Sequence, residues 1–538
     1  MPILSQFVDV AVNEHLSDII NRWWRIDVLV VTDTIVSFGP EHDPRNLNED
    51  FFGMSHLMSV LEGVAKVTKA HRSDDPLTAP GVHSNFRFNE HDLSLYDQIW
   101  LLGYGSGQLD LAEQAAIAKF MNDGGGVFAT GDHASLGSAL AGGLPRVRSM
   151  RHWASPPPAT GPDRVDTTRP DRNDVVVFEN QSDDIPQKLR LKWYQWSRHP
   201  YYREVYPHPL LCSRAGAITE FPDHMHEGEI VIPDSLDAHM TLPGMSFDEY
   251  PKGSDGERVS PEIVAWGRTT GRADPEVMHG IHTGDNEASN ARWTGAIGTY
   301  DGHKAGVGRV VVHSTWHHFF DINLIGDNAA NRPGFSDPRA PLWRKGFTAS
   351  AEGQQVLAQI DQYYRNIVQW LSPNVGRHLW FDAIVAQVAM THHVREVLDG
   401  GSVSAQKLGA YAWEYALRLV PPCAMMALSF EPIYEQMLIP FLPWDEPMPG
   451  PDDGPMPRWP VPPKELAQAS LGGAILAFAE IESLDELHPE LGSKRLRAGA
   501  VAGVRDLVER ELRLTKSALE QLERGNELLR GKDGRCSS

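Results

Sequence analysis

Apolar and polar positions follow two periods along this chain, and each period predicts a different kind of element. Between Tyr96 and Trp153 an unbroken apolar run at Ile99–Leu102 precedes a segment, Asp110–Asn122, in which Ile117, Phe120 and Met121 share a helical face. A second apolar run follows at Val127–Thr130, so the stretch predicts strand, helix, strand. Asp110 and Glu113 have capping-box spacing, and Gly124 suits the left-handed position after a helix. Upstream, Ile26–Thr32 is a near-continuous apolar run ending at Asp33, as in a strand covered on both faces. Phe51, Leu57, Met58 and Leu61 recur at helical spacing, and Val64–Thr68 can form the next strand. The sum is β-α-β-β-α-β, which predicts an α/β fold with a doubly wound, mainly parallel sheet and right-handed crossovers. Asp33, Tyr104 and Asp132 then share the carboxyl edge of that sheet, where ligands bind in such folds.

Ser155–Arg172 holds five prolines and reads as a long loop, and further strands are predicted at Val175–Phe178, Ile263–Trp266 and Arg309–His313. Beyond Ala349 the period is helical, with Val356, Ile360, Tyr363, Tyr364, Ile367 and Leu371 on one stripe and Ile384, Val388 and Val394 on another. Ten prolines from Pro440 to Pro463 make a stiff connector. The expected organisation is an α/β domain over residues 1–345 with loop insertions, helices over 346–440, a proline-rich linker over 441–463 and C-terminal helices over 464–538. In the last of these, Val501, Val504, Val508, Leu512, Thr515, Leu519 and Leu522 trace one stripe. Such a stripe needs a partner, which this chain or a second copy supplies, so self-association through the C-terminal helices is expected.

Composition narrows the function classes. At 538 residues, with 41% hydrophobic and 22% charged positions, the chain is that of a folded protein with two or three domains. A formal net charge of −22 argues against nonspecific nucleic-acid binding. Cys212, Cys423 and Cys536 form no CxxC pair, so neither a disulfide framework nor a thiolate zinc site is expected, Cys212 reads as a structural thiol, and a reducing cytoplasm fits. The opening residues meet acidic positions before any long apolar run, and the most apolar region, Tyr411–Trp444, is broken by charges and prolines, so neither a secretory signal nor a membrane segment is expected.

YDQIWLLG followed by a helix and GGGVFATGDH, the EFPDHMHEGE segment, and GRVVVHSTWHH after PEIVAW resemble the ThuA-like (trehalose utilisation type) branch of the class I glutamine-amidotransferase-like fold, over residues 25–325. The resemblance implies a flavodoxin-like sheet, a site at its strand ends, a sugar-like substrate, and a histidine where true amidotransferases place a cysteine nucleophile. Asp132-His133 takes that place, and without a G-x-C-x-G elbow thiolate-dependent glutamine hydrolysis is excluded.

Nineteen of the 23 histidines precede residue 320, which places any histidine-built site in the N-terminal domain. Asp132 and His133 can act as base, as orienter or as part of a metal shell; alternatively Asp132 caps a helix starting near Ala134 while His133 packs in a loop. In HSTWHHFFD, His317 and Asp321 share a helical face, and with His318 they are candidate ligands for a zinc-like divalent metal, unless the aromatic neighbours mark a packed core turn. In DHMHEGE, His224 and His226 fall on one face of an extended segment as further ligands and Glu227 is a candidate acid or base, with a solvated loop as the alternative. Arg146 and Arg148, with Arg151 beyond them, can bind a carboxylate or phosphate, or line a salt-bridged helix. Asp33, Tyr104 and Ser106 complete the candidate substrate contacts, in a glycine turn that lacks the spacing of a P-loop or GxGxxG motif. These residues point to a metal-assisted hydrolase or related acid/base enzyme on a small polar substrate. The competing readings are a degenerate pocket that senses a small ligand and a purely structural scaffold.

Overall fold

The computed structural model describes residues 26–39, 52–132, 135–154, 156–158, 163, 186–195, 205–222, 228–269, 290–326, 346–420, 422, 424–426, 428–430, 462–481 and 489–533. The chain divides into two compact units. The sheet unit comprises Arg25–Lys192 and Pro207–Arg377, and the helical unit takes its described residues from Trp193–Tyr206 and His378–Ser538.

The sheet unit is built on nine strands: β1 (Ile26–Thr32), β2 (Ala65–His71), β3 (Val82–His83), β4 (Gln98–Leu102), β5 (Gly126–Thr130), β6 (Arg190–Leu191), β7 (Glu262–Thr269), β8 (Arg292–Tyr300) and β9 (Val310–His313). Their order is β3-β2-β1-β4-β5-β9-β8-β7-β6. The six from β3 to β9 run parallel, and the remaining three extend the sheet antiparallel. A large, mainly parallel sheet with helices is therefore the core of an α/β fold, as the apolar runs predict. Register makes the parallel strands end flush, because Thr32 pairs with both His71 and Leu102, and Leu102 with Thr130. Asp33, Tyr104 and Asp132 consequently share one edge. The strand predicted at Val175–Phe178 lies outside the described residues.

Crossover helices α1 (Ser55–Glu62) and α2 (Leu111–Asn122) form where the periodicity places them. Ile117 and Met121 of α2 are fully buried with Leu29, Ile99 and Val127 of the sheet. The cap of α2 is half of the expected box: the Asp110 carboxylate accepts from the Glu113 N–H at 2.8 Å, but the Glu113 side chain instead makes a two-pronged ion pair with Arg72 and accepts from Phe88 N. A buried carboxylate is better satisfied by a guanidinium than by a second cap bond. A short helix, α3 (Asp321–Leu324), follows β9, and α4 (Ala351–Leu371) buries Ile360, Tyr363, Tyr364 and Ile367. Close approach of α4 to β5 requires Gly126, since a Cβ there would fall on the Leu371 carbonyl.

In the helical unit, α5 (Asn374–Ala389, mostly within it), α6 (His392–Asp399), α7 (Ala405–Ala416), α8 (Pro463–Ala479) and α9 (Pro489–Asp533) enclose a separate core that includes Val385, Leu408, Trp413, Leu471, Ile475 and Val504. The crossing of α7 and α8 is made through glycine: a Cβ on Gly409 would overlap the Gln468 carbonyl, and one on Gly472 the Ala405 carbonyl. Among the described residues no helix is long and apolar enough to cross a membrane. Cys212 is disulfide-bonded, which corrects the expectation of a free thiol there and removes the support it lent to a reducing compartment. Sequence separation does not report the spatial proximity that a disulfide needs.

Candidate functional site

At the carboxyl edge of the parallel strands, the turns after β5 and β9 are sewn together. Thr130 Oγ1, at the end of β5, donates to the Thr315 carbonyl at 2.6 Å. The turn after β5 is tight enough to demand glycine at Gly137, whose φ is +87° and where a Cβ would lie 2.6 Å from the Gly131 Cα. Arg151, 2% exposed, closes the same seam: its Nη2 donates to the carbonyls of both Asp132 and Ser314, while its guanidinium lies 4.4 Å from the Trp153 ring centroid.

Held in this seam are a carboxylate and an imidazole. Asp132 is 1% exposed and its Oδ1 accepts from the Thr315 hydroxyl at 3.2 Å. The same hydroxyl accepts from the His317 N–H at 3.1 Å, so one side chain orients both groups. Asp132 Oδ2 lies 3.4 Å from His317 Nε2. His317 Nδ1 faces Asn323 Oδ1 at 3.1 Å, and the Trp316 indole N–H donates to His317 Nε2, also at 3.1 Å. Asparagine oxygen is only an acceptor and indole only a donor, so these contacts select a neutral imidazole protonated at Nδ1. With Nε2 unprotonated, the 3.4 Å between Asp132 and His317 separates two acceptors, and it becomes a hydrogen bond only when Nε2 takes up a proton. An aromatic group adjoins the pair: Tyr104 stacks on Trp316 with centroids 4.9 Å apart and planes at 10°, and Phe52 contacts both. Tyr104 and Phe52 are half-buried.

No family model, no curated protein and no solved structure matches this chain.

The other candidate residues are distributed as follows. His133, His224, His226 and Glu227 lie outside the described residues. The end of the DHMHEGE segment is described: Gly228 runs so close to Arg151 and the Ser314 carbonyl that only glycine fits. Burial alone would raise the Glu229 pKa, but bonds from His152 and Arg292 outweigh it and hold the carboxyl below its usual value.

His318 is fully buried beside Phe221 and His313, and the His313 Nε2 pairs with the Tyr363 hydroxyl. Asp321 corrects the expectation of a metal ligand on the His317 face: its carboxylate accepts from Ser55 N, Ser55 Oγ and His56 N, and so caps α1. Burial pushes the Asp321 pKa up, against those bonds. His317, His318 and Asp321 thus serve three separate contact sets and do not fit a shared zinc-like ion. The group of three donors that could hold a metal among the described residues is His392, His393 and Glu396, exposed on the first turns of α6, where the helix dipole opposes a cation.

The expected substrate arginines are also corrected. Arg148 forms a bidentate pair with Glu249, while Arg146 is fully buried, donates its backbone N–H to Glu249 and its Nη2 to Asn122, and has its pKa lowered to about 10 by burial. Asp33 is a turn anchor: its carboxylate accepts from Tyr104 N at 2.6 Å and Gly105 N at 3.0 Å. Ser106, exposed, bonds Ser135 Oγ at 2.8 Å. The first described helix after β5 begins at Ser138, with Gly137 and not Asp132 at its N-cap. Thr315 and Asn323, which position the pair, carried no signal beyond their closeness in sequence to His317.

Proposed function

We propose that Asp132 and His317 form the acid/base centre of a hydrolase-like enzyme acting on a small polar substrate, without a cysteine nucleophile. The observation that carries this reading is a buried carboxylate facing a buried imidazole across 3.4 Å, at the strand-end edge where α/β sheets place their sites. In the resting state His317 is neutral, with Nδ1–H held by Asn323. As general base it takes a proton at Nε2 from the water that attacks the substrate, displacing the Trp316 N–H; the imidazolium that forms faces the Asp132 carboxylate, which stabilises it until the proton passes to the leaving group. Thr315 and Arg151 fix the aspartate so that little reorganisation accompanies the charge transfer. The half-buried Tyr104 and Phe52, packed on each other and on Trp316, give the pair an apolar wall on one side.

A flavodoxin-like architecture is part of the same reading. With the two-residue β3 set aside, the parallel strands run in chain order 2-1-3-4-5, the flavodoxin-like order. This supports the proposal of a ThuA-like relationship at the level of topology.

A second reading, a non-catalytic pocket that senses a small ligand, is favoured by the near-complete burial of both members of the pair. Hydrolysis assays on small polar esters, lactones, amides and glycosides, run on the full chain and on Asp132→Asn and His317→Gln, separate the two. Turnover that falls at least about 100-fold in both variants, with melting behaviour preserved, is the expected result. Turnover indifferent to both substitutions, or binding of such compounds without any turnover, would transfer the site to the sensor reading.

A further inference from the structure

Among the described residues nothing covers the later part of α9, although the stripe that begins in the core continues into it. Val501, Val504 and Leu507 are buried, whereas Leu512, Leu519 and Leu522 are 58%, 56% and 70% exposed. From Leu512 the spacing is three and four by turns: Leu512, Thr515, Leu519, Leu522, Asn526, Leu529. That alternation is the 3.5-residue repeat of a two-helix coiled-coil seam, with Leu512, Leu519 and Asn526 at one core position and Thr515, Leu522 and Leu529 at the other. Leu514, also exposed, falls off the seam.

We propose that this segment pairs with the same segment of a second copy, and that the two helices run antiparallel. Charge selects both the partner and the direction. The flanking positions on one side of the seam read Glu509, Lys516, Glu523, Arg530, and those on the other read Glu511, Ala518, Gly525, Lys532. In an antiparallel pair each flank meets its own kind. Lys516 then faces Glu523 of the other copy, a pair that occurs twice by symmetry. In a parallel pair one flank meets the other, which leaves only Glu511 opposite Lys516, while Ala518 and Gly525 stand opposite the charges at 523 and 530. The antiparallel layers also match in polarity: Leu519 meets Leu522 and Thr515 meets Asn526, so the two polar core positions satisfy each other. The segment is helical before it docks, so pairing does not carry the cost of nucleating a helix.

Sedimentation velocity on the full chain, over concentrations on the order of 1–100 μM, tests this. A monomer–dimer equilibrium is expected. Leu519→Lys with Leu522→Lys should weaken it more than about tenfold, whereas Leu514→Lys should not, and unchanged helicity by circular dichroism verifies that the protomer is intact. Lys516→Glu and Glu523→Lys should each weaken the dimer, and the double reversal should restore it, because only the antiparallel arrangement brings these two positions together. A monomer at every concentration, or a dimer insensitive to the leucine substitutions, overturns the seam; a double reversal that fails to restore the dimer overturns the antiparallel pairing.

Discussion

The chemistry attributed to His317 depends on a residue that touches no substrate in this scheme. Asn323 Oδ1 accepts the Nδ1 proton and so fixes both the tautomer and the ring plane. Asn323→Ala is expected to lower kcat by about 10- to 100-fold with little change in KM, since a small misplacement of a reacting group costs that much. Leaving the buried imidazole N–H unpaired should also reduce stability by about 1–3 kcal/mol. Steady-state kinetics beside urea denaturation would check both, and an unchanged kcat would reduce Asn323 to a packing residue. At this scale the sequence was informative about residue types and not about pairings. Asp132 was legible because it ends a strand, but its imidazole comes from 185 positions downstream, and nothing in HSTWHHFFDIN distinguishes the histidine that turns towards the aspartate from the two that pack among aromatics. The arginines show the same limit, because whether Arg146, Arg148 or Arg151 reaches the site depends on the left-handed backbone at Arg146, where φ is +65°, and on a buried glutamate a hundred residues away.

At the scale of elements, apolar runs located β1, β4, β5 and β9 to within a residue or so, because strands buried on both faces leave few alternatives. The antiparallel extension by β8, β7 and β6 was not legible, since the direction of a pairing leaves no trace in periodicity. Helix crossings are similarly hidden, yet they set strict demands. Gly472→Ala would press a methyl group onto the Ala405 carbonyl at the α7–α8 crossing, and is expected to lower the stability of the helical unit by about 1–3 kcal/mol. Gly525→Ala, in α9 with open space around it, is expected to raise helix stability by up to about 1 kcal/mol. Hydrogen exchange across α7, α8 and α9 distinguishes these outcomes, and equal protection in the Gly472 variant and the parent would show that the crossing relaxes without loss.

Across the whole molecule the two units should respond to acid in opposite directions. In the sheet unit His208 has its pKa lowered to about 3, first by burial and then by the Arg309 charge, and burial holds His313 well below the usual histidine value. For such a group the unfolded chain binds the proton more readily, so stability is complete above the unfolded pKa of about 6.5 and declines as pH falls below it, by about 1.4 kcal/mol per pH unit for each histidine. In the helical unit Asp382 is 1% exposed and its pKa is raised to about 7, by burial against the opposing influence of Ser493 and Arg497. Here the folded state holds the proton more tightly, so the contribution is complete below the unfolded value of 3.8 and is lost as pH rises through about 7. Lowering the pH from about 7.5 to 5.5 should therefore weaken hydrogen-exchange protection in β9 and α4 while strengthening it in α5 and α9, the window being set by these pKa values. Substitution separates these sites from the general loss of negative charge on acidification. His208→Asn, which keeps an acceptor for the Leu210 N–H, should flatten the decline in the sheet unit, and Asp382→Asn should abolish the gain in the helical unit. If protection in both units moved together with pH in both variants, the buried histidine and aspartate would not be the groups that couple folding to protons.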